Sequence, residues 1–140
     1  MKIQDTSYKI QTNINIQTQN SKRLVAVKRY DLEERTTEFG KAVIRFRMPL
    51  ARGPINNRLI DQVIGASGSI GANYREANDS LGKKDFTQRL KIARREAKES
   101  QHWLELLGEA NQDRKTDVSV LLQEASELKN ILSSIILKSE

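Results

Sequence analysis

Apolar residues recur at spacings of three and four in four successive blocks of the chain, the period of an amphipathic helix. In the first block Leu32, Thr36, Phe39, Val43 and Phe46 share one face. Asp31 stands ahead of it as an N-cap, with Glu34 three residues on in the manner of a capping box and Glu33 placed to favour the helix dipole. Pro49 closes the block, because the residue before a proline is pushed out of the helical region.

The second block begins at Pro54, a residue suited to a first helical position. It carries two adjacent stripes, one of Leu59, Val63, Ala66, Ile70 and Ala77, the other of Ile60, Ile64, Ser67 and Gly71. Asn73 falls in the first stripe, where its amide needs a structural hydrogen bond if buried. The run Gly65 to Gly71 holds three glycines and two serines, each glycine costing a helix about 1 kcal/mol relative to alanine. Tertiary packing must therefore hold this helix, and the expected use of the small residues is close approach by a neighbour. The breadth of the buried arc also suggests a contact beyond a simple bundle, within the molecule or between subunits.

Asn78 to Gly82 is a turn by composition. The third block has the clearest period: Phe86, Leu90, Ala93, Ala97, Ser100, Leu104 and Leu107 alternate spacings of four and three, a coiled-coil seam with small residues at its centre. Ala93, Ala97 and Ser100 suit a close approach to the glycine-serine run of the second helix. Ile92, Glu96 and Trp103 form a line that is neither core nor solvent, which fits a subunit interface for Trp103. Gly108 to Thr116 is read as the last connection. The fourth helix places Val118, Leu121, Ala125, Leu128, Leu132 and Ile135 on one face, widened by Leu122, Ile131 and Ile136.

The pattern predicts an all-α chain, an antiparallel up-and-down four-helix bundle over residues 30–140. Residues 1–29 form a polar, basic extension. Tyr8, Ile10, Thr12, Ile14, Ile16 and Thr18 alternate there at period two, but a lone strand has no sheet to join, so the extension is expected to be disordered until it meets a partner.

Length and composition add bounds. A chain of 140 residues supports one domain with a core. The absence of cysteine excludes disulfides, thiol nucleophiles and the usual zinc sites, and suits the cytoplasm. No purely aliphatic run, Leu24 to Val27 and Ile135-Ile136-Leu137 included, approaches the length of a bilayer span, and the N-terminus lacks the apolar segment of a secretory signal, so no membrane association is expected.

Charge changes the picture because it is segregated. Residues 1–30 carry a net +5, 31–40 a net −3, 41–98 a net +8 and 99–140 a net −4. The basic excess points to an anionic partner such as RNA or DNA. Lys84, Lys91 and Lys98 recur every seven residues on one face of the third helix with Arg94 and Arg95 between them, and these five are the expected nucleic-acid-binding residues.

No catalytic, cofactor or metal site is expected. His102 is the only histidine and is placed on the helix surface beside Trp103, and the acidic residues do not form a metal-ligand pattern. Gly65, Gly68 and Gly71 give a G-x-x-G-x-x-G spacing, but no strand precedes it and no Lys-Ser or Lys-Thr follows, so neither phosphate-binding fingerprint is met.

Several motifs agree in order with a known family. Tyr30-Asp31-Leu32-Glu33, the stretch Ser69 to Ala77, Asp85-Phe86 with Arg89-Leu90, Ile92-Ala93, Glu96-Ala97 and Trp103 to Leu107 resemble the four helix bundle proteins. That family includes proteins encoded in intervening sequences of bacterial 23S rRNA genes, sometimes labelled S23 ribosomal protein. The resemblance covers residues 30–137. It implies an antiparallel bundle that assembles as a ring-like homopentamer with no established enzymatic activity, and related accessory proteins of diversity-generating retroelements have a similar fold and bind nucleic acid and a reverse transcriptase. Gly71 stands where many members have proline, and Ala77 where many have glycine, departures that fit a subgroup with a straighter second helix. Two readings follow: a homo-oligomeric nucleic-acid binder, or a protein-interaction scaffold or accessory subunit.

Overall fold

A computed structural model describes residues 32–140, which form four α-helices: α1 (Leu32–Arg47), α2 (Pro54–Asn78), α3 (Lys83–Ala110) and α4 (Lys115–Ser139). The links are short, and the last contains a single 3₁₀ turn over Gln112–Arg114. The candidate N-cap Asp31, the period-two stretch and the extension as a whole lie outside the described residues.

Each helix buries most of the face its periodicity marks, though Ile64 of the second stripe of α2 is exposed. Val43 of α1, Val63 and Ile70 of α2, Leu90, Ala93, Ala97, Leu104 and Leu107 of α3, and Ala125, Leu128 and Leu132 of α4 are fully buried in one core. A fully buried leucine or isoleucine contributes about 1.5–3 kcal/mol, so this shared core outweighs the weak intrinsic helicity of the glycine-rich run. At the end of α4 the buried residue is Ile136, with Ile135 only half-buried, a one-residue rotation from the expected face.

The ends of the helices are satisfied locally. Pro54 opens α2, where its missing N–H costs nothing, and the Asn57 N–H donates to the Gly53 carbonyl at 2.9 Å. At the other end the Asp79 N–H reaches the Arg75 and Glu76 carbonyls, and Ser80 Oγ donates to the Ala77 carbonyl at 2.7 Å. Among the described residues no buried side-chain polar atom lacks a partner. The Asn73 amide is one of those satisfied within its own helix, donating to the Ser69 carbonyl at 2.9 Å.

Two expectations change. α3 runs to Ala110, so Gly108 lies inside it rather than in the connection, buried against the start of α4, where a Cβ would stand 3.4 Å from Val118 Cγ1, an ordinary van der Waals contact. In the glycine-serine run it is α1 that meets Gly71 and approaches Gly68, while α2 packs most heavily on α3. A Cβ on Gly71 would sit 3.1 Å from Thr36 Oγ1, and one on Gly40 of α1 would lie 3.8 Å from the Ser67 carbonyl oxygen and 3.9 Å from Gly68 Cα. Gly65 and Gly68 themselves face open space. α2 stays continuous through Gly71.

Side-chain ties fix the antiparallel arrangement. Glu33 of α1 accepts from Arg75 at 3.1 Å and from Asn78 at 2.8 Å at the end of α2. Arg35 of α1 donates to both oxygens of Glu124 at 2.8 and 2.9 Å and to Glu127 at 2.8 Å, joining α1 to α4. At the opposite end Arg114 lies 4.5 Å above the Phe46 ring and pairs with Asp117 at 2.8 Å. α3 packs heavily on both α2 and α4, whereas α1 packs mainly on α2 and touches α4 lightly.

Candidate nucleic-acid interface

The buried seam of α3 determines what its outer face can carry. With Leu90, Ala93, Ala97 and Ser100 turned into the core, Lys91, Arg94, Arg95 and Lys98 fall on the far side at spacings of three and four. They line an open groove of about 470 Å³ together with Glu99, His102 and Trp103. Four of the five expected nucleic-acid-binding residues therefore meet in one place. Lys84 is exposed in the first turn of α3, seven residues or about 10 Å before Lys91 along the helix axis, and does not line the groove.

The balance of charge in the groove is four cations against one carboxylate. Lys91 also meets Glu140, the last residue of the chain, with Nζ 3.2 Å from Oε2. Both side chains are exposed, so this pair is weak and readily exchanged for another anion. Behind the cations, burial pushes the Glu96 carboxyl up from its ordinary value; Glu99 adds to the rise and Arg95 opposes it. A lowered pH therefore removes negative charge beside the cationic row.

One end of the groove is aromatic. The His102 and Trp103 rings stand edge to face, with centroids 4.9 Å apart and planes at 64°. His102 is exposed, as its surface position in the helix predicts, while Trp103 is half-buried with part of its ring against the core. Sequence reasoning assigned Trp103 to a subunit contact and did not connect it with the cations. The spacing held the signal: Lys98 and His102, and Glu99 and Trp103, are four apart and share one helix face.

The chemistry available is electrostatic and stacking. Among the described residues no cluster of three or more His, Asp or Glu side chains converges as a metal-ligand set. No described helix is long and apolar enough to cross a membrane.

The family described as 23S rRNA-intervening sequence protein matches residues 28–134. A crystal structure from Bacteroides thetaiotaomicron VPI-5482, of a protein with unknown function from the S23 ribosomal protein family, is 28% identical; the match covers 74% of this chain and 96% of that one, with a TM-score of 0.67. No curated protein gives a significant match.

Proposed function

Because this chain belongs to the 23S rRNA-intervening sequence protein family, we propose that it is a non-enzymatic, homo-oligomeric bundle that binds RNA or DNA through the outer face of α3. The observation that carries this reading is the convergence of Lys91, Arg94, Arg95 and Lys98 on one groove. Phosphates neutralised by such a row release condensed counterions, so binding is sequence-independent and falls steeply with salt. Assembly of several copies, a pentamer in the arrangement the resemblance implies, multiplies the basic faces and raises avidity without new contacts.

A scaffold reading rests on a different observation. Ile44 of α1, Met48 just beyond its end and Ile64 of α2 remain 51%, 73% and 37% exposed, apolar surface left outside the four-helix core. In this reading the protein docks a protein partner, a reverse transcriptase or a ribonucleoprotein component, without contacting nucleic acid itself.

Labelled RNA and DNA titrated with the purified protein at several salt concentrations separate the two. Salt-sensitive binding supports the nucleic-acid reading, and no binding at low salt overturns it. Light scattering tests the assembly: a monomeric mass at working concentrations contradicts the oligomer.

A further inference from the structure

We propose that the α3 groove takes single-stranded nucleic acid, with its cations on the phosphates and an unstacked base against the Trp103 and His102 corner. This rests on the basic-face reading above and narrows its ligand.

The argument starts from what the groove combines. From Lys91 to His102 it runs eleven residues along α3, about 16 Å at the helical rise. The cations occupy its first two turns and the aromatic pair its last. A cationic row alone does not distinguish duplex from single strand, since both present phosphates. The aromatic corner does. In a duplex the base faces are covered by their neighbours in the stack, whereas a single strand offers them to any exposed ring, and sequence-tolerant single-strand binders join a charged track to such rings.

The corner is built to remain in place. Trp103 is anchored by its contact with the core, so its position follows from α3 itself and no side-chain ordering is needed on binding. His102 stands against it at 64°, giving two planes of different orientation at one end of the phosphate track. Glu99, the one carboxylate in the groove, lies between the cationic turns and this corner. It disfavours a phosphate there and leaves that place for a sugar or base.

Trp103 is the only tryptophan, so its emission reports on the groove directly. Fluorescently labelled single-stranded oligonucleotides, in RNA and DNA arms, and duplexes of the same length are titrated against the full chain. Anisotropy reads binding and tryptophan emission reads stacking. The expected result is saturable quenching by the single strand in at least one arm, no comparable quenching by duplex, and tighter binding of the single strand. Trp103→Leu, checked for folding by thermal denaturation, is expected to weaken single-strand binding roughly five- to hundredfold, the effect of losing a stacked base. Its dependence of affinity on salt stays that of the parent, because no phosphate contact is removed. His102→Ala removes an exposed ring and is expected to weaken the same binding several-fold with the bundle intact.

Equal quenching by single strand and duplex, or binding by anisotropy without quenching, overturns the single-strand assignment and leaves the basic-face reading standing. Failure of every oligonucleotide to bind at low salt overturns both.

Discussion

Asn56 and Asn111 exchange a pair of amide hydrogen bonds, Asn56 Nδ2 to Asn111 Oδ1 at 2.9 Å and Asn111 Nδ2 to Asn56 Oδ1 at 2.8 Å, across 55 positions of sequence. The same two amides reach the Ala51 carbonyl and the Leu107 carbonyl, so the α1–α2 link, the start of α2 and the end of α3 are held at one point. Asn111 is buried, and its removal leaves polar groups unpaired where water is scarce. Asn111→Ala is expected to cost about 1–3 kcal/mol in urea denaturation. Asn56→Ala should cost less, because Asn111 keeps its bond to Leu107. A double-mutant cycle should return a coupling of about 0.5–3 kcal/mol, whereas additive losses would show that the pair is incidental.

Arg35 supplies much of what joins α1 to α4. Its guanidinium spans Glu124 and Glu127 with only 18% of the side chain exposed, and hydrogen bonding to Glu124 pushes its pKa up against the burial that would lower it. Arg35→Ala should destabilise the bundle by about 1–3 kcal/mol, between the value of an exposed pair and that of a fully buried one. Arg35→Lys should recover only part of this, since an ammonium lacks the planar fork that grips Glu124 at two points. Chemical denaturation of both variants checks the order.

The glycines of α2 divide by environment. Gly65→Ala and Gly68→Ala place a methyl group in open space, and each should stabilise the protein by about 0.5–1 kcal/mol through helix propensity. Gly71→Ala should destabilise, because its methyl group meets Thr36, whose hydroxyl is held by the Leu32 and Glu33 carbonyls at 2.9 and 3.0 Å. In a Thr36→Ala background the conflict disappears and Gly71→Ala should turn stabilising. Melting temperatures of the parent, Gly71→Ala, Thr36→Ala and the double variant test the sign reversal.

These pairings show where reading from sequence stops. The faces of all four helices were legible because the apolar period is a property of each helix alone. The meeting of Gly71 with Thr36, of Arg35 with Glu124, and of Asn56 with Asn111 depends on which helices lie side by side and at what register, and no local pattern encodes that. Gly108 resembles a stop signal in sequence, yet it lies inside α3 against Val118. At the groove, Lys91, Arg94, Arg95 and Lys98 were legible from helical spacing. Trp103 was not joined to them, since its apolar character drew it toward an interface role, and Lys84, grouped with them by heptad spacing, lies one heptad before the groove lining.

Glu96 makes stability depend on pH in a stated direction. Its folded pKa is raised above the ordinary glutamate value of 4.5, chiefly by burial and also by Glu99. Between the two values the folded state binds more protons than the unfolded one, so this group's contribution falls as pH rises through that window. Glu96→Gln should therefore be more stable than the parent at neutral pH, with the advantage vanishing below the unfolded value. Denaturation midpoints of both proteins from pH 4 to pH 7 should converge at the acidic end; a constant gap contradicts the assignment.

The most direct test of the central claim is the salt dependence of nucleic-acid affinity for the parent and for a variant with Lys91, Arg94, Arg95 and Lys98 all changed to Gln. Each phosphate contact contributes about 0.7–0.9 to the slope of log affinity against log salt. If the groove is the interface, the variant keeps its fold, binds far more weakly at low salt, and loses a slope of up to about 3.6. An unchanged affinity and slope would place the interface elsewhere on the molecule.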